Sequence, residues 1–204
     1  ALRQLIATSG EPVIRQAMTQ AMRIMGRQFV MGRTIDEALD RAAENEARGY
    51  RHSFDMLGEA ACTMADAKRY FEAYANAIAD IGKAAVGRGP VEGPGISVKL
   101  SALHPRYELG QRDRALDELA PDLKTLALMA KKADIGFTVD AEEADRLDIS
   151  LDVIEAVFAD PDLDGWNGFG LAVQGYLKSG PAAIDWLADL ARRVGRPLML
   201  RLVK

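Results

Sequence analysis

The chain has 204 residues, 49% of them apolar and 27% charged, with a net charge of −4. That composition supports one globular domain, or a domain with an appendage, and argues against disorder. The acidic balance, with no local cluster of Lys and Arg, excludes the electrostatic footprint of a nucleic-acid-binding surface, and no run of roughly 18 uncharged apolar residues is present to span a bilayer.

The first fifty residues read as a helical arm. In "EPVIRQAMTQAMRIMGRQFVMG" the apolar residues Val13, Ile14, Ala17, Met18, Ala21, Met22, Met25 and Phe29 recur at three- and four-residue steps, with Pro12 in the first turn. A methionine stripe at this spacing reads as ordinary core rather than as a cofactor or peptide groove. "TIDEALDRAAENEARG" then opens with Thr34 three residues before Glu37, the pattern of a capping box, and Gly49 supplies a stop.

From residue 51 the pattern becomes an alternation of short apolar strands and longer amphipathic helices. A first strand is expected near Ser53 to Met56, with its helix in "MADAKRYFEAYANAIADIGKAA". A second covers Ile96 to Leu100 behind a Gly-Pro-Gly turn, with its helix in "RDRALDELAPDLKTLALMAKKA", which Pro121 is expected to split in two. "IGFTVDAEE" and "SLDVIEAVFAD", then "GFGLAVQGYLK" and "AAIDWLADLARRVG", continue the series, and "RPLMLRLVK" gives a fifth strand. The glycine-rich "GRGPVEGPG" has neither P-loop nor dinucleotide-binding spacing and reads as a turn.

The lone cysteine, Cys62, has no internal disulfide partner; it reads as a small buried apolar residue and fits a reducing cytoplasm. His52 and His104 are too few and too distant to bind a metal without recruited carboxylates.

Repeated βα units of this length make a parallel sheet, either closed into a barrel or open and doubly wound. Asp55, Lys99, Asp140, Gln174 and Arg201 each fall in or near the end of a separate strand, at intervals of 44, 41, 34 and 27 residues. In a closed barrel those strand ends meet at one mouth, which is an active-site arrangement. The competing reading is a structural charge network, or, for Lys99 alone, an ammonium reaching past the strand end to water or a carboxylate.

At these residues the chain resembles a known family. "FDMLGEAA", "GPGISVKLSALHPRY", "DAEEADRLDISLDVIE", "GWNGFGLAVQGY" and "LMLRLVK" resemble, in the same order, the proline dehydrogenase domain of the bacterial proline utilization A flavoenzymes. The resemblance implies an α/β fold, a (βα)8 TIM-like barrel preceded by a helical arm. Residues 1–50 would be the arm and 51–204 the N-terminal part of the barrel, its first five βα units. It also implies FAD-dependent oxidation of L-proline to 1-pyrroline-5-carboxylate, by hydride transfer to flavin N5 and onward transfer of electrons to a membrane quinone. The product would pass to an aldehyde dehydrogenase domain on the same polypeptide. A cytoplasmic homo-oligomer with peripheral contact at the inner membrane surface, and no nucleic-acid contact from this segment, completes the expectation.

Residue by residue, the resemblance makes Lys99, Asp140 and Arg201 the catalytic set. Lys99 would help neutralise the proline carboxylate above a floor that includes Asp55. Arg201 would lie near flavin N5, Asp140 and Ala141 beside the isoalloxazine, and Gln174 would hydrogen-bond the ring, with Val203 and Lys204 also touching the cofactor. Gly175 departs from the alanine frequent in the family after the glutamine. The three further βα units of the family barrel, with paired arginines and a tyrosine that complete the proline pocket, do not occur in the 204 residues, so the chain is expected to be part of a longer protein. Two rivals stand beside this reading: a Schiff-base aldolase using Lys99 at a depressed pKa, and a non-catalytic fragment of the dehydrogenase.

Overall fold

The computed structural model describes residues 11–26 and 30–204. The chain divides into two compact units, Ala1–Arg48 and Gly49–Lys204.

The first unit contains helices α1 (Glu11–Gly26) and α2 (Ile35–Glu46). Thr34 caps α2, its hydroxyl accepting the Glu37 N–H at 3.3 Å. Glu37 returns its carboxylate to the N–H of Arg33 at 2.8 Å rather than to that of Thr34, so only half of the expected capping box forms. The chain leaves α2 through Ala47, and Gly49 follows at φ +93°, a conformation that suits glycine. The methionine stripe does not become core. Val13, Ile14, Met18, Met22, Ile24 and Met25 are 58–68% exposed, because α2 buries only Ala38 and Ala42 and offers no large apolar face to meet them. Phe29, expected on the same stripe, lies outside the described residues.

The second unit is a parallel sheet of β1 (Ser53–Asp55), β2 (Gly95–Val98), β3 (Gly136–Val139), β4 (Phe169–Gln174) and β5 (Met199–Val203), in that spatial order. Sequential order decides between the two architectures left open by the sequence. A doubly wound sheet reverses direction at a switch point, whereas a βα barrel adds each strand beside the last. Helices α3 (Met64–Ala85), α4 (Arg112–Ala133), α5 (Leu147–Phe158) and α6 (Gly180–Val194) fill the connections.

One sheet face makes the core. Ile96, Val98, Phe137, Val139 and Phe169 are buried together with Ile78 and Ile81 of α3, Leu119, Leu123 and Leu126 of α4, and Val153 and Phe158 of α5. Phe169 is the hinge of the aromatic packing, with ring centroids 5.8 Å from Phe137 and 5.7 Å from Phe158. On β5 the same alternation leaves Leu200 and Leu202 exposed.

Two local expectations change. Pro121 does not divide its helix: α4 runs unbroken for 22 residues, because burial of Ala115, Leu119, Leu123, Leu126 and Ala130 along one face outweighs the hydrogen bond that proline cannot donate. Cys62 is exposed, with its sulfur 3.6 Å from the Ala60 carbonyl. It sits in the loop just ahead of Thr63, which forms a full capping box with Asp66 and starts α3. No helix among the described residues is long and apolar enough to cross a membrane.

The opposite face carries small residues at Gly95, Ser97, Gly136, Gly170 and Ala172. A Cβ at Gly170 would lie 2.5 Å from the Met199 carbonyl oxygen and 2.8 Å from its Cβ, so β4 and β5 pair closely only because position 170 has no side chain. Gly170→Ala is therefore expected to destabilise the protein by about 1–3 kcal/mol, read as a lower chemical-denaturation midpoint; an unchanged midpoint would contradict this packing.

Candidate active site

The register of the ladders places the charged residues. Val98 pairs with Val139, Val139 with Leu171, and Ala172 with Arg201. One step further along, Lys99, Asp140, Ala172 and Arg201 form one row across four strands, at the C-terminal ends of β2 and β3. Lys99 is the residue after β2 rather than within it, and leads directly into the single-turn helix Leu100–Leu103.

Lys99 Nζ donates to Asp55 Oδ2 at 2.6 Å and to Asp140 Oδ2 at 3.1 Å. Arg201 reaches over Ala172: its Nη1 is 3.5 Å from Asp140 Oδ1, and its Nη2 donates to Ser97 Oγ at 2.8 Å. Ser97 in turn lies 3.0 Å from Ser53 Oγ. The Asp140 backbone extends the sheet, its N–H bonding the Val98 carbonyl at 2.9 Å, so this aspartate is held at both main chain and side chain. Four of the five polar strand-end residues singled out in the sequence thus meet in one cluster.

Burial varies along that cluster. The Lys99 and Asp140 side chains are 17% and 14% exposed, while those of Asp55 and Arg201 are 42% and 41% exposed. Burial alone would lower the pKa of Lys99, but hydrogen bonds and charge from Asp55 and Asp140 outweigh it and hold the amine above the ordinary lysine range. Tyr74, buried on α3, accepts the Lys99 N–H at 3.2 Å. Desolvation pushes its phenol up to about 12, so it stays protonated.

Gln174 and Ala141 stand apart from the charge cluster. Both line a small neighbouring cavity with Glu142, Tyr107 and Arg146. Gln174 is paired with Val203 across the β4–β5 ladder, and Lys204 follows at the end of β5. Gly175 donates its N–H to the Val203 carbonyl, so the departure from alanine leaves the strand end closed.

Sequence reasoning missed Ser53, Ser97, Tyr74, Ser101 and Glu142. The serines carried a readable signal: Ser53 and Ser97 precede Asp55 and Lys99 by two residues and so share their face of the sheet. Tyr74 carried none, since an aromatic on a helix says nothing about which strand end its hydroxyl meets. His104 is structural. Its Nδ1 accepts the Arg106 N–H at 3.1 Å, which leaves Nε2 to donate to Glu118 at 2.9 Å. Among the described residues no group of three or more His, Cys, Asp or Glu side chains is arranged to hold a metal.

The electrostatics of Lys99 bear on the aldolase rival. Schiff-base formation needs a neutral amine, and this lysine is held as a cation by two carboxylates. The stability it contributes is present below the ordinary lysine pKa and is lost only as pH rises through its higher folded value. Borohydride reduction with an added aldehyde at neutral pH is expected to leave Lys99 unlabelled by mass spectrometry; stoichiometric trapping there would revive the aldolase.

The proline dehydrogenase family profile matches residues 38–204. The chain is 57% identical over 203 residues to the bifunctional protein PutA of Klebsiella aerogenes, covering 100% of this chain and 16% of that protein. It is 55% identical over 201 residues to that of Rhizobium meliloti, covering 98% of this chain and 16% of that protein. Hence it spans about one sixth of the length of these curated relatives. A crystal structure of a bifunctional proline utilization A protein superposes with a TM-score of 0.81 at 57% identity, over 98% of this chain and 21% of that one. The Bdellovibrio bacteriovorus proline utilization A, inactivated by N-propargylglycine, superposes with a TM-score of 0.86 at 23% identity, over 94% of this chain and 21% of that one, and supports the fold. The chain belongs to the proline dehydrogenase family.

Proposed function

We propose that the protein oxidises L-proline to 1-pyrroline-5-carboxylate, with the row of Lys99, Asp140 and Arg201 forming part of the substrate and cofactor wall. The observation that carries this reading is the pair of fixed cations, Lys99 and Arg201, that converge on Asp140 from either side in a chain of this family. Proline enters as a zwitterion, and its carboxylate needs positive charge in a site where water is scarce.

Lys99 suits that task. An ammonium has three N–H donors, and Asp55 and Asp140 take two, leaving one for the substrate carboxylate. Asp140 holds both cations against their mutual repulsion, and Asp55 forms the floor beside the ammonium. The arriving carboxylate is therefore met by a charge already oriented.

The donor set also fits a flavin. Arg201 offers a guanidinium fixed by Ser97 and Asp140 yet open on its remaining edge, Gln174 offers both a donor and an acceptor, and Ala141 and Ala172 add no bulk beside them. We assign Asp140, Ala141, Gln174, Arg201, Val203 and Lys204 to FAD contact. When bound, FAD would supply the two-electron acceptor for the hydride from proline C5, and the amine proton would pass to water. Arg201, a permanent cation, would stabilise the negative charge that reduction leaves on the ring.

The remaining parts of the proposal rest on the family resemblance. Residues 1–50 serve as an arm and 51–204 as the N-terminal part of the dehydrogenase barrel. Electrons pass to a membrane quinone, the product to an aldehyde dehydrogenase domain of the same polypeptide, and the cytoplasmic homo-oligomer touches the inner membrane surface peripherally.

Anaerobic L-proline is expected to bleach the flavin absorption of the full-length protein; a flavin band that proline leaves unchanged would overturn the assignment. Lys99→Ala should raise KM for proline about 10- to 100-fold with flavin content retained, since it removes a charge-assisted contact to substrate. Arg201→Lys keeps the charge but loses the fork that spans Ser97 and Asp140, and should lower kcat by about 10- to 100-fold in steady-state assays.

A further inference from the structure

Beyond the ion pairs lies a second set of ties between the same three strands. Ser101, 3% exposed, is two residues past Lys99, and Glu142 is two residues past Asp140. The Ser101 N–H donates to Glu142 Oε2 at 3.0 Å. Its hydroxyl oxygen accepts the Ala60 N–H at 3.0 Å, and its carbonyl accepts the Ala61 N–H at 2.8 Å. The segments that follow β1, β2 and β3 are thereby joined through one buried serine and one half-buried carboxylate. These are the strands whose ends carry Asp55, Lys99 and Asp140.

We infer that Glu142 and Ser101 form a clamp that fixes the segments just beyond β1, β2 and β3 and so keeps the sheltered arrangement in which Lys99 bridges Asp55 and Asp140. Both are positioning residues; neither touches the Lys99 ammonium. Burial pushes the Glu142 carboxyl above its ordinary range, while Ser101, through hydroxyl and backbone, and the Arg146 guanidinium pull it back. A carboxylate kept in a place that disfavours its charge, and tied to a backbone amide there, fits a group whose task is geometric. Lys99 cannot fix this arrangement alone, because its long side chain adapts to a range of separations, whereas the backbone of Ser101, tied to Ala61 by a main-chain hydrogen bond, to Ala60 through a short hydroxyl and to Glu142 through its N–H, does not. The effect on proline rests on the dehydrogenase reading; the effect on Lys99 does not.

The test uses the full-length protein and two readouts. The first is the rate at which an amine-reactive ester labels Lys99, followed by mass spectrometry. The second is the split between KM and kcat for proline. Glu142→Ala is expected to speed Lys99 labelling about threefold or more and to raise KM about tenfold, with kcat within about twofold. Glu142→Gln keeps an oxygen for the Ser101 N–H and should restore both readouts to near wild type, which general loss of stability would not do. Equal damage from Gln and Ala, or unchanged labelling and KM in Glu142→Ala, would overturn the clamp. If Glu142→Ala does not fold, Ser101→Ala decides: faster labelling supports the clamp, and an unchanged rate removes it. If the wild-type flavin ignores proline while Glu142→Ala still unmasks Lys99, the dehydrogenase reading fails and the clamp stands.

Discussion

Four charges alternate in sign along the strand ends: Asp55, Lys99, Asp140 and Arg201. Everything else in the site depends on that alternation. A lone ammonium at 17% exposure would be costly, and so would a lone carboxylate at 14%, but each inner charge here has an opposite charge on either side. The outer members, Asp55 and Arg201, keep part of their hydration, so the cluster is driest in the middle, where it is fully paired, and wettest at its ends. Such a chain is sensitive to register. A slip of one residue between β2 and β3 would carry Lys99 or Asp140 to the apolar face and leave the other charge buried without its partner.

Small residues make the alternation possible. Arg201 reaches Asp140 across β4 because the intervening position in the row is Ala172, and β4 approaches β5 closely because Gly170 has no Cβ to meet Met199. A larger residue at 172 would occupy the space that the guanidinium crosses. The two faces of the sheet are therefore specified by opposite demands. One needs bulk, supplied by Phe137, Val139 and Phe169 against the helices; the other needs its absence.

Much of this was legible in the chain. The five strands and their helices follow from apolar runs bounded by glycine and proline, and the polar residues at their ends stood out because each interrupts a segment that otherwise seeks burial. The family motifs then added roles that periodicity cannot supply. What the sequence withheld was anything that depends on pairing between distant segments. The 44-residue interval from Asp55 to Lys99 says nothing of contact until the β1–β2 register is known, and the reach of Arg201 depends on a residue in another strand. Pro121 misled for a related reason: a local rule yielded to burial along the whole helix. The stripe on α1 misled in the opposite sense, because an amphipathic pattern states a need for a partner without naming one.

The same lysine at the same strand end could have belonged to different chemistry, and its neighbours decide which. One ammonium between two carboxylates is a fixed cation, suited to holding an anionic group and poorly suited to nucleophilic attack. Removing the carboxylates, or replacing them with apolar groups, would favour the neutral amine and move the site toward imine formation. The barrel architecture permits both outcomes. It is the spacing of Asp55 and Asp140 about Lys99, set by register and by small residues on one face of the sheet, that keeps this lysine a cation.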